Sequence, residues 1–478
     1  MKPLIFRLIR STVLGACCLS LHGLAAAAEP PPKVRNLIFM LGDGMGLVTM
    51  TAARIYAVGE AGQLTVDTLP ETAFVKTYSH DGQVTDSAAG MVAYMTGMKV
   101  NNEVISMTPD TLLRQPLPDA NGNKLRDNCG AGNGKPITTL IELAKRAGRG
   151  TGIVTTSRVT DATPAAAVAH TCARHLENDI AQQMVPGGAG YNAALGATGL
   201  DVVLGGGRQF FMPFPAGGGK RSDGRDLIAE IRAQGYDYVA DGPQLRALGG
   251  RSKRLFGLFA NYHMEYELER DAAKEPSLTE MALAAMDTLS TQPNGYVLML
   301  EGGRIDHGLH ATWTKRALHE MVEFDRMLKA VIAKARERDP ELRETLIVLT
   351  ADHDHTLIMN DTGVRTGPTT AGNPGVLGYA RDAAGTPRRD LDGAPYTVLG
   401  YGNSENRVMG SRENVMPAEG KTAEAAYHHE GTVRMRVGAE THGGSEVFLG
   451  AIGQGAARFH GKIENTRVFD LMKEAAGL

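Results

Sequence analysis

The sequence lacks an excess of basic residues. Lys and Arg total 50 against 53 Asp and Glu among 478 residues, for a formal charge of −3, and they form no long runs. Nucleic-acid-binding proteins carry a basic patch or stripe, so the composition argues against that class. The 58 glycines recur at no short period, which excludes a fibrous protein and indicates a loop-rich globular one.

Long hydrophobic runs are also missing beyond the N-terminus. A bilayer span needs about 20 apolar residues, and no later run reaches that length. The N-terminus itself has the pattern of a signal peptide, with basic Lys2, Arg7 and Arg10, an apolar segment, and small residues at Ala25–Ala28. We therefore predict a cleaved signal at residues 1–28 and an exported mature chain, periplasmic or secreted. A lipoprotein anchor at Cys17 is the alternative.

Cysteine is scarce. Of four cysteines, Cys17 and Cys18 fall within the predicted signal, which leaves Cys129 and Cys172 in an oxidising compartment. One disulfide between them is expected there.

Apolar runs and helical periodicity alternate along residues 29–478, which predicts a single α/β domain. Parallel sheets have helices on both faces, so we expect a three-layer sandwich around a large, mostly parallel central sheet. The predicted strands are 36–41, 151–155, 201–204, 255–260, 296–300, 345–350 and 447–452. The predicted helices include 136–147, 225–234, 277–291, 314–336 and 466–475. Residues 361–429 lack either pattern and are predicted to be a loop-rich insertion.

Residues 296–310 (Y-V-L-M-L-E-G-G-R-I-D-H-G-L-H) combine a buried strand with potential ligands. The strand ends at Glu301, and Asp306 and His310 follow four residues apart, on one face of a helix. Ligands gather at the carboxyl ends of strands in open α/β sheets. Carboxylate with imidazole suits a cation such as Zn²⁺, although a capped helix with a surface histidine fits this stretch alone equally well.

Similar residues follow other predicted strands or lie in glycine-rich turns. Each alone fits an ordinary cap or turn role, as does Ser87 at the start of an apolar helix. They are Asp43, Glu301, Asp306, His310, Asp352, His353 and His442. Together they bring more charge than one pocket tolerates without cations, which predicts a multinuclear metal site. A serine at a helix N-terminus and Arg174 suggest chemistry on phosphate esters, which two metals can catalyse.

Six motifs in order resemble the alkaline phosphatase family over about residues 36–476. They are L-G-D-G-M-G, T-D-S-A-A-G, D-A-T-P-A-A-A-V-A-H, E-G-G-R-I-D-H-G-L-H, T-A-D-H and E-T-H-G-G. The resemblance implies hydrolysis of phosphate monoesters through a phosphoserine at Ser87, with Arg174 holding the phosphate. It also implies two Zn²⁺ and one Mg²⁺, and a homodimer in which residues 361–429 correspond to the family's crown segment.

The implied ligand sets are specific. The first zinc would be held by Asp306, His310 and His442, the second by Asp43, Asp352 and His353, and magnesium by Asp43, Thr163 and Glu301. Asp161 resembles some bacterial members and His307 resembles vertebrate ones, and both would lie near the phosphate and magnesium. Asp354 and His355 are interpreted as lying behind the ligands or in solvent, and His428 and His429 as surface residues.

Two other functions remain open. A phosphodiesterase or related hydrolase could share the two-metal core, but Ser87 and Arg174 favour monoesters. An exported metal- or phosphate-binding protein without turnover is the alternative from another class.

Overall fold

A ten-stranded sheet runs through the computed structural model, which describes residues 33–413, 417 and 420–478. Its strand order is β17-β2-β16-β10-β1-β9-β5-β6-β8-β7, numbered along the chain. The strands are β1 (Asn36–Gly42), β2 (Glu71–Lys76), β3 (Leu117–Pro118), β4 (Lys124–Arg126), β5 (Gly150–Arg158), β6 (Val202–Gly206), β7 (Asp237–Val239), β8 (Leu255–Leu258), β9 (Tyr296–Gly302), β10 (Thr345–Thr350), β11 (Asp354–His355), β12 (Leu357–Met359), β13 (Leu399–Ser404), β14 (Gly431–Arg434), β15 (His442–Gly443), β16 (Val447–Gly453) and β17 (Gly461–Glu464). Within the large sheet only β16 runs antiparallel to its neighbours.

Helices form two separate packing groups, in agreement with the predicted sandwich. One group is α1, α8, α9 and α10, and the other is α2, α3, α4 and α11. The helices in chain order are α1 (Leu47–Val58), α2 (Ser87–Thr96), α3 (Leu140–Arg146), α4 (Ala162–Val168), α5 (Glu177–Gln183), α6 (Leu227–Ala233), α7 (Gly242–Leu248), α8 (Leu278–Leu289), α9 (Arg304–His310), α10 (Thr314–Arg336) and α11 (Asn465–Ala476). The predicted fold class is confirmed.

The register of the central strands brings their carboxyl ends to one edge. Leu41 of β1 pairs with Glu301 of β9 and with Thr350 of β10. These strands are buried along almost their whole length, as expected for a parallel sheet covered on both faces. Asp43, Glu301 and Asp352 therefore emerge side by side at the same edge.

The predicted start of helix 136–147 is wrong. The helix begins at Leu140, and Thr139 caps it by accepting a hydrogen bond from the Glu142 backbone N–H, while Glu142 accepts one from Thr139. This reciprocal cap satisfies two N–H groups that the helix itself leaves free. Pro136 lies in extended backbone before it, where a proline is equally acceptable.

Other predicted features have mixed outcomes. Cys129 and Cys172 form the predicted disulfide, with Cα atoms 5.6 Å apart. The insertion at 361–429 is mostly turns, but it contributes β13 to a small sheet with β12 and β14. The predicted signal at 1–28 and the alternative anchor at Cys17 lie outside the described residues. Among the residues that are described, no helix is long and apolar enough to span a bilayer.

Candidate active site

Ser87 begins α2, directly beside the sheet edge. Asp86 caps this helix by accepting a hydrogen bond from the Ala89 N–H at 3.0 Å. The Ser87 hydroxyl lies 3.3 Å from Asp43 Oδ1 and 3.2 Å from His353 Nε2. Ser87 is 2% exposed, so its hydroxyl faces these neighbouring side chains and not bulk solvent.

Asp43, Asp352 and His353 form one compact group. His353 Nε2 lies 3.4 Å from Asp43 Oδ1 and 3.5 Å from Asp352 Oδ2. Asp352 Oδ1 accepts hydrogen bonds from the backbone N–H groups of Gly44 and His353, whereas its buried Oδ2 accepts none from the described residues. A carboxylate oxygen that is buried without a donor costs free energy unless a cation binds it.

Asp306, His310 and His442 form a second group. His310 Nε2 lies 3.2 Å from Asp306 Oδ1 and 3.1 Å from His442 Nε2. His442 Nε2 is also 3.6 Å from Asp306 Oδ1. The three atoms therefore converge on one point from β15 and α9, which lie far apart in the sequence.

The tautomers of three histidines explain why these groups suit metals. Nδ1 of His310 faces the Glu440 carbonyl, Nδ1 of His353 faces the Asp354 carbonyl at 3.2 Å, and Nδ1 of His442 faces the Thr85 carbonyl at 2.8 Å. A carbonyl only accepts, so each Nδ1 carries the hydrogen and each Nε2 presents a lone pair. Lone pairs 3.1 Å apart on His310 and His442 repel each other unless a cation lies between them.

Asp43, Thr163 and Glu301 form an all-oxygen group beside the first. Thr163 on α4 donates to Asp43 Oδ2 at 3.4 Å and also lies within hydrogen-bond reach of Glu301, which accepts from Ser157 at 3.4 Å. Oxygen ligands of this kind suit a hard cation such as Mg²⁺.

The pKa values of Asp43, Asp352 and Glu301 are raised because the chain provides too little positive charge beside these buried carboxyls. Burial raises the pKa of Asp352 to about 8, with a further contribution from Asp43. Burial also raises the pKa of Glu301 to about 8, and burial together with Asp306 and Glu301 raises that of Asp43 well above its usual range. Among the described residues, Lys and Arg form no ion pair with these three carboxyls.

Arg174 is held beside the serine by two carboxylates. One terminal nitrogen donates to Asp86 at 2.9 Å and the other donates to Asp161 at 3.3 Å. Arg158 also pairs with Asp161, at 3.1 Å. Although burial alone would raise it, Arg158 and Arg174 hold the pKa of Asp161 far below its usual value.

His307 belongs to a cluster that the sequence did not reveal in full. His307 Nε2 and His263 Nδ1 each lie 3.9 Å from Asp161 Oδ2. Arg158 donates to His263 Nε2 at 2.5 Å and Arg304 donates to His307 Nδ1 at 3.1 Å. Guanidinium groups only donate, so both imidazoles turn N–H groups towards Asp161, and two nearby arginines disfavour a further cation there.

Three residues lie behind the ligands, two of them predicted only as one of two options and the third not predicted. His355 is 2% exposed and lies 2.8 Å from Asp306, so the option that it is solvated is wrong. Asp354 is 6% exposed and is not solvated either. Glu440, 2.6 Å from His355, was not singled out at all, although the E-T-H-G-G motif contains it.

The interpretation of His428 and His429 as surface residues is also wrong. His429 is 1% exposed and lies 3.0 Å from Thr314 Oγ1. His428 is partly buried and accepts a hydrogen bond from Trp313 Nε1 at 2.9 Å. Both pack against the residues that follow His310, because the insertion folds back over the start of α10.

Comparison with known proteins now identifies the family. The family model described as "Alkaline phosphatase" matches residues 34–478. The chain belongs to the alkaline phosphatase family. It is 37% identical to the tissue-nonspecific alkaline phosphatase isozyme of Gallus gallus, over 92% of this chain and 84% of that protein. It is 35% identical to the alkaline phosphatase of Gadus morhua, over 93% and 92% respectively.

Solved alkaline phosphatases share the fold. The Thermus thermophilus alkaline phosphatase superposes with a TM-score of 0.66 at 28% identity, covering 93% of this chain and 92% of that one. The alkaline phosphatase of the Antarctic bacterium TAB5 gives 0.65 at 20% identity, covering 94% and 99%. Family membership makes the chain a phosphoric monoester hydrolase with a metal-binding site.

Proposed function

We propose that this chain hydrolyses phosphate monoesters through a phosphoserine on Ser87, at a centre that binds two Zn²⁺ and one Mg²⁺. The observation that carries the proposal is the position of the Ser87 hydroxyl. It lies at the N-terminus of α2, within 3.3 Å of Asp43 and 3.2 Å of His353, on the same side of the sheet edge as the other ligand groups.

The ligand sets follow the three groups of side chains. The first zinc would be held by Asp306, His310 and His442, the second by Asp43, Asp352 and His353, and magnesium by Asp43, Thr163 and Glu301. The donor-free oxygen of Asp352 and the opposed lone pairs of His310 and His442 fit bound cations. When bound, such cations lower the pKa of a coordinated hydroxyl and neutralise charge on the substrate and leaving group.

The chain's own residues supply the nucleophile and position the substrate. Ser87 Oγ loses its proton and attacks phosphorus, the bond to the leaving oxygen breaks, and this oxygen takes up a proton as the phosphoserine forms. Water then attacks the same phosphorus, the bond from phosphorus to Ser87 Oγ breaks, and a proton returns to Ser87 Oγ as inorganic phosphate leaves. Free N–H groups at the start of α2 favour the anionic phosphoryl group. Arg174, oriented by Asp86 and Asp161, keeps N–H groups available for two phosphoryl oxygens. Because the transition state is loose, most of the acceleration comes from such positioning and charge complementarity.

Asp161 and His307 are proposed to act behind the substrate. Asp161 accepts from Arg174 and has its other oxygen turned to His307, so it links the phosphate-binding arginine to the histidine beside Asp306. This combination is expected to influence magnesium affinity and the pH optimum without contacting phosphorus.

Comparing two substrates tests the proposal against a diesterase. We expect p-nitrophenyl phosphate to be hydrolysed with a much higher kcat/KM than bis-p-nitrophenyl phosphate, because Arg174 suits a dianionic terminal phosphoryl group. Faster hydrolysis of the diester would contradict the assignment. The absence of turnover on both, with metals bound, would favour a binding protein.

Trapping the intermediate tests the nucleophile. Acid quenching during turnover of a labelled monoester is expected to leave label on Ser87, and the Ser87→Ala variant is expected to bind metal normally but retain no label. Label on another residue would refute the role of Ser87.

Export, assembly and organisation are part of the proposal. We propose that residues 1–28 are a cleaved signal, that residues 29–478 form one domain with a crown-like insertion at about 361–429, and that the mature enzyme is a periplasmic or secreted homodimer. N-terminal sequencing of the exported protein and its mass in solution test these points.

A further inference from the structure

Glu440 is a buried carboxylate that none of the three ligand sets uses. It is 2% exposed and lies two residues before His442. Its Oε1 accepts from the Thr356 backbone N–H at 2.8 Å and from the Thr356 hydroxyl, and its Oε2 accepts from His355 Nδ1 at 2.6 Å. A carboxylate fully removed from water is costly unless its partners are fixed, so this arrangement calls for an explanation.

Glu440 is connected to each ligand of the first zinc by a different route. Through His355 its side chain reaches Asp306, because His355 Nε2 lies 2.8 Å from Asp306 Oδ1. Through its backbone it contacts His310 twice, since its N–H donates to the His310 carbonyl at 3.1 Å and its carbonyl accepts from His310 Nδ1. In the sequence, Glu440 lies two residues before His442, the first residue of β15.

The pairing of β11 with β15 completes the connection. His355 is directly opposite His442 in this two-stranded antiparallel sheet. The segments of His355 and Glu440 are therefore joined twice, by the backbone pairing of β11 with β15 and by the hydrogen bond between the two side chains. The ligands Asp306 and His310 on α9 and His442 on β15 meet only because these segments are held together.

We propose that Glu440 is a positioning residue that fixes the three ligands of the first zinc relative to one another. The inference rests on the proposed zinc centre and extends it to a residue that contacts no metal. Hydrogen-bonded partners behind metal ligands orient them, and their removal typically weakens metal binding about 10- to 100-fold. Asp306 would otherwise be free to turn its oxygen away from His310 and His442.

Zinc affinity measured by competition with a chromogenic chelator tests the proposal directly. For Glu440→Ala we expect the affinity of one zinc site to fall about 10- to 100-fold while the other is retained. Glu440→Gln is expected to fall in between, because an amide can still bond to Thr356 and the imidazole. The matched control is Glu446→Gln, which removes a partly exposed carboxylate six residues along the chain that pairs with Lys462. Wild-type zinc affinity in Glu440→Ala would overturn the proposal.

A double-mutant cycle separates positioning from a general structural role. If Glu440 acts through His355, then His355→Ala and Glu440→Ala should each weaken zinc binding, and the double variant should be little worse than either. Additive losses would overturn this route. Removing the partners of Thr356 and His355 lowers the Tm of the metal-free protein as well, so the diagnostic quantity is the rise in Tm on adding zinc, which should be smaller in Glu440→Ala than in wild type. A rise equal to that of wild type would contradict the proposal.

These outcomes are independent of turnover. If the wild-type protein binds zinc tightly but hydrolyses no monoester, the proposed function is contradicted. The zinc affinity of Glu440→Ala then still decides whether Glu440 positions the ligands. A wild-type protein without zinc affinity would overturn both.

Discussion

Two sets of buried or partly buried carboxylates lie at the candidate active site but are neutralised in different ways. Asp86 and Asp161 are paired with Arg174, and Asp161 also with Arg158. Asp43, Asp352 and Glu301 have no such partner among the described residues, and their pKa values are raised by burial. Where the chain supplies cations, carboxylates orient an arginine. Where it does not, burial leaves each carboxyl either protonated or bound to a cation from solution.

The largest expected difference between the two sets is in activity. Asp352→Asn should lower kcat/KM by about 10³-fold, because metal stabilisation of the transition state is worth several kcal/mol. Bound zinc should fall in parallel by elemental analysis. Asp110→Asn, which changes an exposed carboxylate, is the control and should behave as wild type. Full activity in Asp352→Asn would remove the distinction between the sets.

Substitutions in the two sets should change the free energy of unfolding of the metal-free protein in opposite directions. At pH 9, above the pKa of about 8 of the Asp352 carboxyl, Asp352→Asn removes an unpaired buried charge and should raise the free energy of unfolding by about 1 kcal/mol. Asp161→Asn removes the carboxylate shared by Arg158 and Arg174, which keep only Glu177 and Asp86 respectively, and should lower it by about 2 kcal/mol. Urea unfolding in the presence of a chelator measures both, and shifts of the same sign would contradict the comparison.

Substitution of Arg174 should weaken the binding of phosphate and leave the metal content unchanged. Arg174→Ala is expected to lower kcat/KM by about 10²-fold, since a preorganised donor to the transition state is lost. Inhibition by inorganic phosphate should weaken while zinc content is unchanged. A loss of zinc equal to that of Asp352→Asn would show that the two sets are not separate.

The smallest expected effect is a pH dependence confined to the metal-free protein. Asp352 and Glu301 have folded pKa values of about 8, above unfolded values of about 4, so folding binds protons between these limits. Their contribution to stability is complete below pH 4 and is lost as the pH rises through about 8. Each of the two carboxyls lowers the free energy of unfolding by about 1.4 kcal/mol per pH unit, so without metal we expect a fall of about 1 kcal/mol for each half unit of pH between pH 6 and pH 7. Zinc and magnesium together should abolish this slope; the same slope with both metals bound would argue against coordination.

The fold was predictable because strong local patterns coincide with tertiary position. The apolar runs before Glu301 and after Thr345 are buried strands, and parallel pairing necessarily brings their ends together. Helix α10 has the predicted bounds, Thr314–Arg336, because buried apolar positions recur at helical spacing from Ala317 to Ala335. The start of α3 was not predictable from Pro136, because a proline fits both extended backbone and a first helical turn, and the Thr139 cap decides between them.

The site was predictable in part. Residues next to strand ends, such as Asp43 and Asp352, could be placed from the chain order alone. His263 and Glu440 could not, because they act through contacts with Asp161 and His355 that are far away in the sequence. His429 lies in an irregular segment without periodicity, and only tertiary packing determines that it is buried.

Metal content of the purified protein tests the central claim most directly. The unpaired carboxylates and the opposed imidazoles predict two zinc ions and one magnesium ion per chain by elemental analysis, with activity lost on exhaustive chelation and restored by adding both metals. A protein that keeps full activity with far less than one metal ion per chain would contradict the account.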